Sequence, residues 1–254
     1  MRINPSTFSP GEALLWRHGV VEPEFIDLDG IAAAEGAEVR YRALDGCEAR
    51  LVVFGDRGII SIKPDPKYPG RQRFSLAHEL AHWQCDRAVG GALCAADDIS
   101  PSNTEAKGRE SAANNYASQL VLPDYLVAPR AEGLAFTLDA AQELARAFRS
   151  SLTAAVLKLL RHTARPAAVA CHLADGRCWF RKSRSLPPDA YILGELHYDG
   201  PAIKLLYGDE GGRTRPHTEP ATRWMSGPST RGKDVCCQSL KLPDAVLTTL
   251  ELLR

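Results

Sequence analysis

His78-Glu79-Leu80-Ala81-His82 is the stretch whose residue types and spacing can do chemistry. On a helix, positions i and i+4 stack on one face, so His78 and His82 aim two imidazoles at a single ion. Glu79 lies one residue round and reaches a water beside that ion without being a ligand. Zinc suits this pattern. It acidifies water toward neutrality, and a neighbouring carboxylate then takes the proton as the water attacks a carbonyl. Two buried core histidines would give the same spacing. Ala77 and Ala81 favour the metal reading by permitting close packing, and Phe74, Leu76 and Leu80 supply an apolar flank.

A catalytic zinc takes three protein ligands and keeps one position open. Cys85 follows His82 by three residues, but side chains at i, i+4 and i+7 spread along about 10 Å of helix axis and do not converge. Cys85 is therefore expected to be a packed thiol, and Asp86 fits still less well as a ligand, with a supporting role left open. A later segment offers Glu110. Its i+3, i+7 and i+10 positions are Ala113, Ala117 and Leu120, which place Glu110 on the buried face of a helix. A buried carboxylate needs a cation. The metal answers that need, and so does a salt bridge to Arg71 or Arg73; spacing alone leaves both open. Glu105 is the rival on the same helix, in a more polar setting.

The elements that must position these residues are legible in outline. Residues 9–18 read as a short helix capped by Ser9, and 27–36 as a second one stopped by Gly36. Strand-like runs at 38–41, 49–54 and 59–62 follow, the last two joined by a Gly-Asp-Arg-Gly turn. Prolines then lead into a helix over 72–89, ended by Gly90 and Gly91, with 92–103 as loop. A second long helix covers 105–122 and stops at Pro123. Leu138–Phe148 and Leu152–His162 form a helical hairpin about Arg149-Ser150-Ser151. Beyond Pro166 the character changes: 167–173 and 177–181 read as a hairpin about Asp175-Gly176, with Cys171 and Leu173 sharing a face with Cys178 and Phe180. Residues 208–232 read as a long loop around Trp224. The fold class is α+β, with a domain at 1–163 and a smaller β-rich domain at 164–254.

Phe74-Ser75-Leu76-Ala77-His78-Glu79-Leu80-Ala81-His82, then Glu110-x-x-Ala113-Asn114-x-Tyr116-Ala117-x-x-Leu120-Val121-x-Pro123, resembles the paired motifs of the ImmA/IrrE family of bacterial metallo-endopeptidases. The resemblance covers about residues 10–163. Departures are mild: Ala81 where glycine is commoner, Tyr116 for phenylalanine, Val121 for leucine. It implies a zincin-like helical peptidase domain with a small sheet, zinc bound by His78, His82 and Glu110, and Glu79 as general base. Asn114 matches a family position that serves either helix packing or ligand support. Family members often act on helix-turn-helix repressors encoded nearby, controlling mobile elements, stress responses or toxin–antitoxin-like pairs. The resemblance thus implies a zinc-dependent endopeptidase whose protein substrate is a helix-turn-helix transcriptional repressor or antitoxin-like regulator in a bacterial cell.

Proteases of this mechanism commonly hold an extended peptide by strand addition. The strand-like run at 59–63 leads straight into the active-site helix, so its edge, at Ile60, Ser61 and Ile62, is the expected substrate-binding strand. Two rival functions stay in view. One is a zinc-containing module that sequesters a regulator without cleaving it, which leaves an intact Glu79 unexplained. The other is a DNA-binding regulator using the hairpin over 138–162, given a basic cast by Arg149, Lys158, Arg161 and Arg165.

Composition limits the choice. The 254 residues carry 31 basic and 31 acidic side chains, so bulk electrostatic binding to nucleic acid is not expected. Residues 1–129 hold 13 basic and 18 acidic groups, and residues 130–254 hold 18 and 13. No apolar run approaches the ~18 residues of a membrane span, and the first residues lack an apolar leader. Seven cysteines without a CxxC pair suit reduced thiols in a cytoplasm. Cys171, His172 and Cys178 lack zinc-knuckle spacing, and His197 and His217 stand alone and are assigned to no site.

Overall fold

Ser9 and Glu12 open the first helix, α1 (Pro10–Arg17), by a reciprocal cap. Glu12 Oε2 accepts from the Ser9 N–H at 3.0 Å and from its hydroxyl at 2.6 Å. The other oxygen of Glu12 accepts from the N–H of Asp124 at 2.6 Å, so one buried carboxylate caps two helices. Asp27 caps α2 (Leu28–Ala34) through the Gly30 N–H, and Gly36, at φ 90°, turns the chain out of it. The computed structural model describes residues 4–86, 104–208 and 212–253. They form an α+β fold in two compact units, residues 1–129 with 145–151 and residues 130–144 with 152–254.

The first unit contains a three-stranded sheet of β1 (Ala37–Tyr41), β2 (Ala49–Phe54) and β3 (Arg57–Ile62). Its order is β1-β3-β2, with β3 parallel to β1 and antiparallel to β2. This overturns the expected substrate edge. Ile60 pairs with Val39 on one side and Leu51 on the other, Ser61 with Arg40 and Arg50, and Ile62 with Tyr41 and Ala49. All three side chains are buried. A central strand has both ladders filled, so strand addition to this sheet is open only to β1 or β2.

The helix α3 (Pro69–Asp86) packs on β2 and β3, and α4 (Thr104–Val121) packs on α3. Trp83, fully buried, anchors the far end of α3 by donating its indole N–H to the Glu35 carbonyl at 2.8 Å. Gly58 lies beneath that ring, where an added Cβ would come within 2.9 Å of Trp83 Cε3. At the near end, Arg73 donates to the Ile26 carbonyl at 2.6 Å and Gln72 Oε1 accepts from the Asp65 N–H at 2.7 Å. The other side of α4 meets α1, where Gln119 Oε1 accepts from the Gly11 N–H at 2.9 Å. The helix end expected at Gly90, the loop at 92–103 and the Glu105 side chain lie outside the described residues. After Pro123 the chain forms α5 (Asp124–Ala131), a helix the sequence reading did not anticipate.

α6 (Leu138–Phe148) and α7 (Leu152–His162) flank a turn in which Arg149 takes φ 52°. Within the second unit α7 packs on β4, so the cut expected near residue 164 falls inside that unit. Lys158 is buried in α7 and contributes nothing to an outer basic face, whereas Arg149, Arg161 and Arg165 are exposed. The second unit is built on an antiparallel sheet of β4 (Ala167–Leu173), β5 (Gly176–Lys182), β7 (His217–Pro220), β9 (Asp234–Lys241) and β10 (Val246–Leu252), in the order β5-β4-β10-β9-β7. A two-stranded piece of β6 (Tyr191–Ile192) and β8 (Met225–Ser226) and the helix α8 (Pro201–Tyr207) complete it. Ala168, Ala170, Val235, Val246, Leu250 and Trp224 form its apolar core.

Two expectations fail here. The stretch at 208–232 is not one loop, because it contains β7 and β8. Cys171 pairs with Trp179, and a bulge follows it, so its face is not that of Phe180, which lies opposite Ala170 and packs on the core.

Candidate metal centre

His78 and His82 lie one turn apart on α3, with ring centroids 4.7 Å apart. Each imidazole is held from behind. His82 Nδ1 donates to Asp86 Oδ2 at 2.7 Å, and His78 Nδ1 donates to Asn114 Oδ1 at 3.1 Å. With both Nδ1 atoms committed as donors, each ring presents Nε2 as a bare lone pair. The two Nε2 atoms lie 3.0 Å apart. Glu110, from α4, brings Oε2 to 3.2 Å from the first and Oε1 to 3.3 Å from the second.

With the rings in that tautomer the inward atoms are all acceptors, and such a ring is repulsive unless a cation sits at its centre. Protonating a ring instead is opposed at His78, where burial and then the neighbouring His82 hold the imidazole below its ordinary value. The spacing fits a metal. An ion with ligands at about 2.0–2.1 Å in tetrahedral array has donor–donor edges of about 3.3 Å. His78, His82 and Glu110 are a group whose ligand atoms all lie within 4.8 Å of one another.

Local packing explains the convergence. Ala77 and Ala81 are fully buried, and Ala113 and Ala117 are buried on α4, so small residues let the two helices approach. Glu79 is 2% exposed, next to His78 on the inner side of α3. Glu110 does follow the face carrying Ala113, Ala117 and Leu120, but its side chain is 39% exposed rather than buried. The donor ring therefore opens to solvent on the Glu110 side. The competing salt bridges are not formed: Arg71 pairs with Glu48 at 2.5 Å, and Arg73 donates to the Ile26 carbonyl. Cys85 is exposed rather than packed and lies outside the donor group. The six described cysteines are free thiols.

Two supporting residues were only partly legible. Asp86 follows His82 by one turn, which brings it to Nδ1, and Asn114 follows Glu110 by one turn, which brings it to His78. Both are i, i+4 relations that become readable only once the ligands are known.

Residues 32–160 match the family model described as the IrrE N-terminal-like domain, a peptidase family. The chain belongs to the ImmA/IrrE family. That family comprises metallopeptidase-type regulators that in general depend on zinc. A solved structure titled Mycobacterium tuberculosis transcriptional regulator is similar in fold, with a TM-score of 0.58 at 16% sequence identity. The likeness spans 95% of this chain and 85% of that one. No curated protein matches the sequence of this ImmA/IrrE member. Among the described residues, no helix is long and apolar enough to cross a membrane.

Proposed function

We propose that this protein is a zinc-dependent endopeptidase of the bacterial cytoplasm that cleaves a helix-turn-helix transcriptional repressor or an antitoxin-like regulator. One observation carries the reading: three side chains from two helices turn only lone pairs toward a common point, and both imidazoles are locked in the ligand tautomer from behind. His78, His82 and Glu110 would hold the zinc. Zinc bound there supplies Lewis acidity that polarises the scissile carbonyl and makes water nucleophilic at neutral pH.

The chain's own groups do the remainder. Glu79 accepts the proton of the attacking water and returns it to the leaving amine. Its burial keeps the carboxylate away from bulk water. Asp86 and Asn114 hold the rings in register through both steps. Membership of the family supports the protease and its regulatory setting; the free thiols support a reducing compartment.

The test mixes purified protein with a candidate repressor, with and without chelator, and follows fragments by mass spectrometry. Wild type should cleave only when metal is present. Glu79→Gln should keep zinc, because Glu79 is not a ligand, yet lose about 10²–10⁴-fold in rate. Cleavage that survives Glu79→Gln undiminished overturns the mechanism. Binding without cleavage by either form favours sequestration.

A further inference from the structure

The sequence leaves His217 standing alone; the sheet supplies its neighbours. His217 on β7 lies directly across from Cys237 on β9. Glu219, two residues along β7, points to the same face. His217 Nε2 is 3.3 Å from Cys237 Sγ and 3.3 Å from Glu219 Oε1. These three form the other group among the described residues whose ligand atoms all lie within 4.8 Å of one another.

We propose that His217, Glu219 and Cys237 form a second binding site for a thiophilic divalent metal ion of the zinc class. His217 and Glu219 are held as metal ligands are held. His217 Nδ1 donates to the Arg215 carbonyl at 2.9 Å, which leaves Nε2 as the lone pair facing the group. Trp224 Nε1 donates to Glu219 Oε2 at 2.8 Å, which turns Oε1 toward His217. Tetrahedral zinc with nitrogen at about 2.0–2.1 Å and sulfur at about 2.3 Å separates the two by about 3.5 Å. The observed 3.3 Å needs only a small adjustment.

A nucleophilic cysteine is the alternative use of a paired Cys and His, and it fails here. Cys237 is 1% exposed, so its sulfur does not present itself to a substrate. On binding, Cys237 releases its proton to solvent, and a sulfur–metal bond replaces the contact with His217. The His217 side chain is 29% exposed and gives an ion its way in. The ion would clamp β7, the edge strand, to β9.

The test is titration of metal-free, full-length protein with cobalt(II), read by metal content and absorption. The first centre offers only nitrogen and oxygen donors, so a sulfur-to-cobalt charge-transfer band in the near ultraviolet reports the second alone. Wild type should bind two equivalents and show the band. Cys237→Ala and His217→Ala should each lose the band and one equivalent. His217 is part-exposed, so its variant guards against a failure of Cys237→Ala to fold. A His78→Ala, His82→Ala double variant should keep the band while losing the other equivalent, which separates failure at either centre. Wild type without the band, or a band that survives Cys237→Ala or His217→Ala, overturns the proposal.

Discussion

Asp86 Oδ2 lies 2.7 Å from His82 Nδ1, one helical turn further along the same helix. Both groups are largely shielded from water. The contact fixes the tautomer and orients the ring toward Glu110.

Asp86→Ala should therefore lower zinc affinity by about 10–100-fold while leaving secondary structure intact. Competition against a chromophoric chelator measures it, with circular dichroism as the control for folding. Asn114→Ala removes a neutral acceptor from an exposed position and should cost less. Unchanged affinity in Asp86→Ala would mean that the ring is held by packing alone.

Glu110→Gln should abolish tight zinc binding at the first centre, and Glu105→Gln should not. Both residues belong to one helical segment, and the Glu110 carboxylate is placed against both histidines. Metal analysis after dialysis of each variant separates them. Retention by Glu110→Gln together with loss by Glu105→Gln would reassign the third ligand.

Much of this centre was readable from spacing. The i, i+4 histidines need only a helix, and the apolar positions after Glu110 fix which face of α4 it shares. What spacing does not encode is how far a face is covered. Glu110 sits where its helix leaves the packed interface, so its carboxylate is half open although Ala113 and Ala117 are buried. Strand order was equally out of reach. β1 and β3 are paired in parallel although β2 lies between them in sequence, and that non-local pairing makes β3 central. The unbroken run Ile59-Ile60-Ser61-Ile62 did carry a hint, because strands buried on both faces lose polar alternation. His217 and Cys237, twenty positions apart, meet only through the register of β7 on β9.

Gly58→Ala should destabilise the first unit by about 1–3 kcal/mol, the usual cost of forcing extra volume into a packed interior. The added methyl would stand 2.9 Å from Trp83 Cε3, and Trp83 is fixed on its other side by the hydrogen bond to Glu35. The ring adjoins His82 in sequence, so the strain is exerted on α3 itself. Urea unfolding of wild type and variant measures the cost. Equal midpoints would show that the ring shifts freely.

The last prediction concerns acid. His172 is buried on β4, near the Trp224 ring, and its Nε2 donates to the Leu193 carbonyl at 3.3 Å. Burial is the main cause holding its imidazole below the ordinary value near 6.5, and Arg177 adds to it. The unfolded chain therefore takes up this proton at a higher pH than the folded one. Above about 6.5 neither state binds it and the folded state keeps its full stability. As pH falls below that value the unfolded state alone is protonated, and stability declines by at most about 1.4 kcal/mol per pH unit until the folded pKa is reached. His172→Gln retains a donor for Leu193 and cannot titrate. Urea unfolding of metal-free protein at pH 7.5 and pH 5 should show a larger acid loss in wild type than in His172→Gln. Equal losses would assign the acid sensitivity to other groups and remove His172 from the account.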